Sequence, residues 1–369
     1  MIPLFAITTR GLEQVSAAEM ANLPGWQVDQ VGYRRIAARY SGPLEQALAL
    51  RTVDDLFIHL AEWHGISHQR AALATLHQLS LDLDLWPAAG IRSQVAPLSA
   101  HPTFSVSANF VGRRNYTVDE IKGAVAAGVE AISGWRYQAG DQESEINIRL
   151  FMEHEHVFVG MRLGERPLSR RAYKVAHVPG SLKPPVAAAL LRLAGVRAGE
   201  RVLDPFCGAG TILIEAALLG AHAQGGDLAQ AALAAATANA QAAGVEIDVQ
   251  RWDARRLPLE AAAVDRVVTN LPWGRQIEIE ADQAQFYQEV CLEMQRVLDR
   301  RGSLALLTTL PQLVELPAMR LADRLEISLF GQQATILVYG PTDTTATRPG
   351  GGGRDDASSG RDSAPPHPC

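Results

Sequence analysis

The chain has little cysteine: three residues in 369. Cys207, Cys291 and Cys369 have neither metal-ligand spacing nor the density of a disulfide framework, and such sparse use suits a reducing compartment. Long apolar runs are missing too. No segment approaches the roughly twenty residues of a membrane span, and the start lacks a basic stretch leading to a small-residue cleavage site. A cytoplasmic protein with no membrane partner is therefore expected. An excess of positive charge is also lacking, with a net charge of −6 and an isoelectric point near 5.9, which argues against a uniformly basic polyanion binder. Metal chemistry has no foothold: His154-Glu155-His156 would put two histidines on one strand face, but no third ligand accompanies them. No repeat of fixed period is found. What remains is ordinary globular usage, 47% hydrophobic and 20% charged, on a chain long enough for two domains with cores of their own.

Against this background one stretch stands out. Glu200-Arg201-Val202-Leu203-Asp204 is a short apolar run ending in an acid, and Thr211 opens the helix-forming Ile212-Leu213-Ile214-Glu215-Ala216-Ala217-Leu218-Leu219, with Gly220 behind it. Between them lies Pro205-Phe206-Cys207-Gly208-Ala209-Gly210. A strand, a glycine turn and a helix bring backbone N–H groups and a helix N-terminus to a strand's carboxyl end, where a ligand can lie. The dinucleotide fingerprint Gly-x-Gly-x-x-Gly is not met, because Leu213 stands where the third glycine should be. The leading carboxylate of Asp204 would repel phosphates, yet it suits a ligand carrying an ammonium and a sulfonium, the charge layout of S-adenosylmethionine.

Further acids follow in order. Gly225-Gly226-Asp227 closes a segment about twenty residues after the turn, where nucleotide-binding sheets place a carboxylate on ribose hydroxyls. A helix from Leu228 to Ala243 carries Asn239, a strand is expected over Glu246 to Gln250, and Trp252-Asp253-Ala254-Arg255 forms its exit. The fourth strand, Asp265-Arg266-Val267-Val268-Thr269, delivers Asn270-Leu271-Pro272-Trp273-Gly274. An amine conjugated into a purine is a poor nucleophile, so its site should accept both N–H hydrogens and hold the ring flat. The Asn270 side-chain oxygen and the Leu271 carbonyl can accept, Pro272 stiffens the turn, and Trp273 can stack on a base. Cys207 is expected to be a small filler in the turn and not a nucleophile.

These two motifs together resemble the signature of class I S-adenosylmethionine-dependent methyltransferases acting on an exocyclic amine. With Arg170-Arg171-Ala172-Tyr173-Lys174 and Ser181-Leu182-Lys183-Pro184-Pro185-Val186-Ala187 upstream, the sequence is similar to the THUMP-containing RNA guanine-N2 methyltransferases, especially the tRNA enzymes that modify an acceptor-stem guanosine. Thr103 to Ala108, Gly112-Arg113-Arg114-Asn115-Tyr116-Thr117 and a helix from Val118 are similar to the second half of a THUMP domain, whereas Met1 to Trp86 match in a general way. The resemblance implies S-adenosylmethionine held by Asp204, Phe206, Cys207, Gly208, Gly210, Thr211, Asp227, Leu228, Asp253, Ala254 and Asn270, with Asp253 accepting from the adenine amino group. It implies catalysis by Asn270, Leu271, Pro272 and Trp273 on a flipped guanine, and no metal. The partner it implies is tRNA, gripped by local basic clusters, with Arg113, Arg114, Arg170, Arg171 and Lys174 as contacts. Further basic clusters are Arg34-Arg35 with Arg39, and Arg255-Arg256. A monomer is expected. The same chemistry on ribosomal guanine, adenine N6 or a glutamine amide stays open, as does a non-catalytic RNA-binding protein with a degenerate cofactor domain.

The expected architecture is α/β: a Rossmann-like class I methyltransferase domain, with a mostly parallel seven-stranded sheet and an antiparallel last strand, behind an α+β THUMP-containing domain. Residues 1–164 form the RNA-binding region, its THUMP-like part from about 66 to 164. β-like runs cover Ile2 to Thr8 and Glu145 to Leu163, with helices from Leu12 to Met20 and from Val118 to Ile132. Residues 165–185 are a packed linker, 186–340 the methyltransferase domain, with strands near 201, 223, 246, 265, 302 and 325 and a terminal hairpin, and 341–369 a disordered tail.

Overall fold

The computed structural model describes residues 1–141, 144–273 and 283–342. Gly274, Cys369 and nearly all of the stretch expected to be disordered lie outside the described residues. Two sheets organise the rest. The first contains β1 (Ile2–Ile7), β2 (Trp26–Gly32), β3 (Arg35–Tyr40), β4 (Asp55–Trp63), β5 (Thr103–Val111), β6 (Arg136–Tyr137), β7 (Ile146–Glu153) and β8 (His156–Arg162), in the order β2-β3-β1-β4-β8-β7-β5-β6. Its helices are α1 (Glu13–Ala21), α2 (Leu44–Ala47), α3 (Ala72–Leu81), α4 (Trp86–Arg92) and α5 (Val118–Ser133). Helix α5 starts at a capping box: Thr117 accepts from the Glu120 N–H, and the Glu120 carboxylate accepts from the Thr117 N–H. It stops at Gly134, which takes a left-handed φ of 68°. Ile121, Val125 and Val129, at helical spacing, bury one face of α5 in the first core.

The second sheet contains β9 (Arg201–Asp204), β10 (His222–Asp227), β11 (Asp248–Arg251), β12 (Val264–Asn270), β13 (Leu298–Thr308), β14 (Met319–Leu329) and β15 (Gln332–Pro341), ordered β11-β10-β9-β12-β13-β15-β14. The first five run parallel, and β15 pairs antiparallel with both β13 and β14. Helices α6 (Pro184–Leu193), α7 (Thr211–Leu218), α8 (Gln230–Ala243) and α9 (Gln283–Val297) accompany it. Pro184 and Pro185 open α6, where a missing N–H costs nothing. Strand order reverses between β9 and β12, so a crevice opens at their carboxyl ends.

Three details depart from the sequence expectations. The strand expected from Glu246 is confined to Asp248–Arg251. The run Glu145 to Leu163 is a hairpin, with His154 in its turn at φ 53°, so His154 and His156 do not share a strand face. His156 gathers instead with Glu62 and His64, their ligand atoms within 4.8 Å of one another. Helix α1 belongs to both halves. Leu12 and Val15 are buried in the core of the second sheet with Val186, Leu190 and Ile327, and the Arg10 carbonyl accepts from the Ser328 N–H at 3.1 Å. A Cβ on Gly11, whose φ is 92°, would lie 2.1 Å from the Glu326 carbonyl oxygen, so only glycine permits this approach.

Candidate active site

The glycine turn between β9 and α7 is shaped by its neighbours. Gly210, at φ 77°, ends the turn as the N-cap of α7, and a Cβ there would meet Ala236 at 2.9 Å. The Cys207 N–H reaches the Gly226 carbonyl at 2.9 Å. Asn239, fully buried on α8, donates to the carbonyls of Ala176 and Ala209, each at 3.0 Å, and accepts from the Ala176 N–H at 2.8 Å. That one side chain ties the segment before α6 to the turn.

A cavity of about 950 Å³ opens at the carboxyl ends of β9 and β12. Of the residues implied to hold the cofactor, Asp204, Phe206, Cys207, Gly208, Thr211, Asp227, Leu228, Asp253, Ala254 and Asn270 line it, together with Leu271, Pro272 and Trp273. Gly210 does not; it stands behind the wall and shapes the turn. Asp227 accepts from the Gly208 N–H at 3.1 Å and from the Ala229 N–H at 2.9 Å, which fixes its carboxylate against the turn. Asp204 is 1% exposed, accepting from the Thr269 hydroxyl at 2.6 Å and the Phe206 N–H at 3.1 Å. Burial, reinforced by nearby Asp227, pushes its carboxyl up to about 7 despite those bonds. Burial and both carboxylates push the Cys207 thiol up, away from a nucleophilic thiolate. Asp253 is held below the usual carboxylate range by Arg255, which grips it through Nε and Nη2.

The segment Asn270–Trp273 is braced on both sides. Trp273 donates its indole N–H to Asn270 Oδ1 at 2.9 Å. The Tyr287 hydroxyl on α9 donates to the Pro272 carbonyl at 3.1 Å and lies 3.0 Å from the Thr308 hydroxyl. Tyr287 and Thr308 are fully or almost fully buried, and no local sequence signal points to either. Trp252 is another unforeseen wall residue, donating to the Pro205 carbonyl at 3.2 Å.

Several of the basic residues expected to grip RNA are held by groups of the protein itself. Arg171 donates to Glu215, the Leu168 carbonyl and the Arg51 carbonyl. Glu215, fully buried on α7, also binds Arg51 and accepts from the Tyr173 hydroxyl at 2.7 Å. A buried carboxylate holds the nearest cations, so Arg171 is a clasp between the two sheets. Lys174 lines the cavity, donating to Ser181 Oγ and the Leu182 carbonyl, both at 2.8 Å, and burial lowers its pKa. Arg114 donates to the carbonyls of Ile66, Ser67 and His154 and to the Tyr116 hydroxyl. Arg35 is buried over the Phe158 ring and Arg39 pairs with Asp29. Arg113 and Arg170 lie exposed.

Residues 171–327 match the UPF0020 model, described as RMKL-like, methyltransferase domain. The chain is 34% identical over 320 residues to the tRNA (guanine(6)-N2)-methyltransferase of Thermus thermophilus, spanning 85% of this chain and 90% of that protein. It is 32% identical over 212 residues to the U6 snRNA (guanine-N(2))-methyltransferase THUMPD2 of Bos taurus, covering 56% of this chain and 40% of the relative. Among solved structures it is similar to TrmN from Thermus thermophilus, with a TM-score of 0.75 and 30% identity over 92% of this chain and all of that one.

Proposed function

From the premise that the chain belongs to the S-adenosylmethionine-dependent RNA guanine-N2 methyltransferases, we propose that it methylates the exocyclic N2 of one guanosine in tRNA, in the acceptor stem. The cavity wall fits the cofactor. It combines the Asp227 carboxylate, the close-approaching backbone of Gly208 and apolar surface from Phe206, Leu228 and Ala254, which suit a ribose diol and an adenine, while Asp204 offers charge for an ammonium. Bound there, S-adenosylmethionine supplies an electrophilic sulfonium methyl group.

The chain's own residues do the rest. Asn270 Oδ1 and the Leu271 carbonyl accept the hydrogens of the guanine amine and draw its lone pair out of conjugation. Trp273 holds the ring face, while Pro272, pinned by Tyr287, keeps the two acceptors in register. Neither acceptor titrates, so rate enhancement comes from position and orientation, on the order of several kcal/mol. A paired guanine must be flipped out to reach them, costing a few kcal/mol. Residues 1–164 serve as the RNA-capture region and 186–340 as the transferase in a cytoplasmic monomer, with Arg113 and Arg170 among the RNA contacts.

The observation that carries this reading is the meeting of Asp227 and the Asn270–Trp273 motif on one cavity wall. The test is methylation of tRNA, ribosomal RNA and DNA with labelled cofactor, followed by mass spectrometry of the nucleosides. N2-methylguanosine from tRNA is expected, and labelled N6-methyladenosine instead would sink the assignment.

A further inference from the structure

We propose that Phe330 is a stacking platform for an RNA base beside the target guanosine, with Lys183 placed for the neighbouring phosphate; the inference rests on the RNA methyltransferase reading above. Strands β14 and β15 pair down to Leu329 opposite Gln332, so Phe330 and Gly331 are the whole turn of the hairpin. Both have left-handed backbones, with φ of 51° and 77°. Two-residue hairpins with positive φ at both positions favour Asn-Gly, because a Cβ is disfavoured there and asparagine tolerates the strain best. Phenylalanine is a poor choice for this backbone.

Core packing does not compensate for that choice. Phe330 is 68% exposed, whereas Leu329 beside it is 1% exposed and fills the second core. The exposed ring lines the same cavity as Asn270 and Trp273, and Lys183 Nζ lies 5.4 Å from its centroid. A strained residue kept at a cavity wall points to function. An uncovered aromatic face with a cation next to it is the arrangement that binds unpaired nucleotides, by stacking on the base and attraction for the phosphate. A flipped guanosine leaves its neighbours unstacked, and the hairpin tip offers one of them a surface.

The test compares Phe330→Asn, Phe330→Trp and Lys183→Ala with the parent protein. Phe330→Asn satisfies the turn, so its thermal midpoint should equal or exceed the parent's. Its affinity for tRNA, read by filter binding and as KM, should weaken about 5- to 100-fold, the range for one stacked base. Affinity for S-adenosylhomocysteine, by calorimetry, should stay unchanged. Phe330→Trp should retain tRNA affinity, and Lys183→Ala should show a shallower salt dependence. Unchanged tRNA affinity in Phe330→Asn overturns the proposal, as does a parallel loss of S-adenosylhomocysteine affinity, which would assign the ring to the cofactor. If the parent protein itself methylates no RNA, the functional reading falls and takes this proposal with it; a fully active parent with an equally active Phe330→Asn sinks the platform alone.

Discussion

Trp273 and Asn270 are joined by a 2.9 Å hydrogen bond from the indole N–H to the carboxamide oxygen. The aromatic residue at the site therefore also aims the acceptor, and an amide oxygen with two lone pairs can keep this bond while taking a second. Trp273→Phe keeps the flat ring and removes the donor. Its kcat should fall about 10-fold, the cost of one orienting hydrogen bond, with cofactor affinity unchanged. Single-turnover methylation beside calorimetry with S-adenosylhomocysteine checks both, and a wild-type rate would show that the bond orients nothing.

Asn270 and Asp227 should separate cleanly. Asn270→Ala is expected to lose about 100-fold in kcat while binding S-adenosylhomocysteine normally. Asp227→Ala is expected to lose about 100-fold in cofactor affinity, since it removes both a ribose acceptor and the anchor of Gly208. Calorimetry on the two variants decides, and equal cofactor loss in both would contradict the division of roles.

The Asp204 carboxyl, raised to about 7, sets a pH dependence. Without ligand its neutral form is favoured, so its contribution to stability is full below the ordinary carboxylate range and is lost as pH rises through about 7. A cationic ligand reverses the preference, and binding below that point must expel a proton. Affinity for S-adenosylmethionine should climb with pH by up to about 10-fold per unit and level off above 7. Calorimetry at pH 6 in two buffers of different ionisation enthalpy should detect the released proton; identical heats in both would mean that Asp204 does not titrate on binding.

Glu215 should behave as a structural anchor. It is fully buried and shared by Arg51, Arg171 and Tyr173, so Glu215→Ala leaves two cations facing an empty site and should destabilise by about 3–5 kcal/mol. Denaturant unfolding measures this. A loss below about 1 kcal/mol would place the clasp among weak surface pairs.

The cofactor side of the cavity was legible because its signals are local. The turn from Asp204 to Thr211 and the acid Asp227 announce themselves through a few consecutive residues, and strand and helix alternate regularly around them. Tyr287, Thr308 and Phe330 were not legible, since each acquires its place only when distant strands close the cavity. Arg171 and Lys174 have partners that the sequence does not announce. A basic pair in a linker looks solvated until the fold supplies Glu215 on α7 or the Leu182 carbonyl to receive it. The first sheet was the least legible part: β5 pairs in parallel with β7 across α5, while β4 meets β8 from the far side of the chain, and no short pattern encodes such pairings.

The shared helix α1 also has a consequence in time. Leu12 and Val15 fill a core whose other members, Val186, Leu190 and Ile327, are much later in the sequence. At about 5–20 residues per second, a ribosome makes the Val186–Leu190 stretch roughly 9 to 35 s after Leu12 and Val15. During that interval the nascent chain displays Leu12 and Val15 before their partners Val186, Leu190 and Ile327 exist to cover them. The first residues of this core to be synthesised are thus the ones that wait longest for their partners, and they are where a holding chaperone would find the unfinished protein.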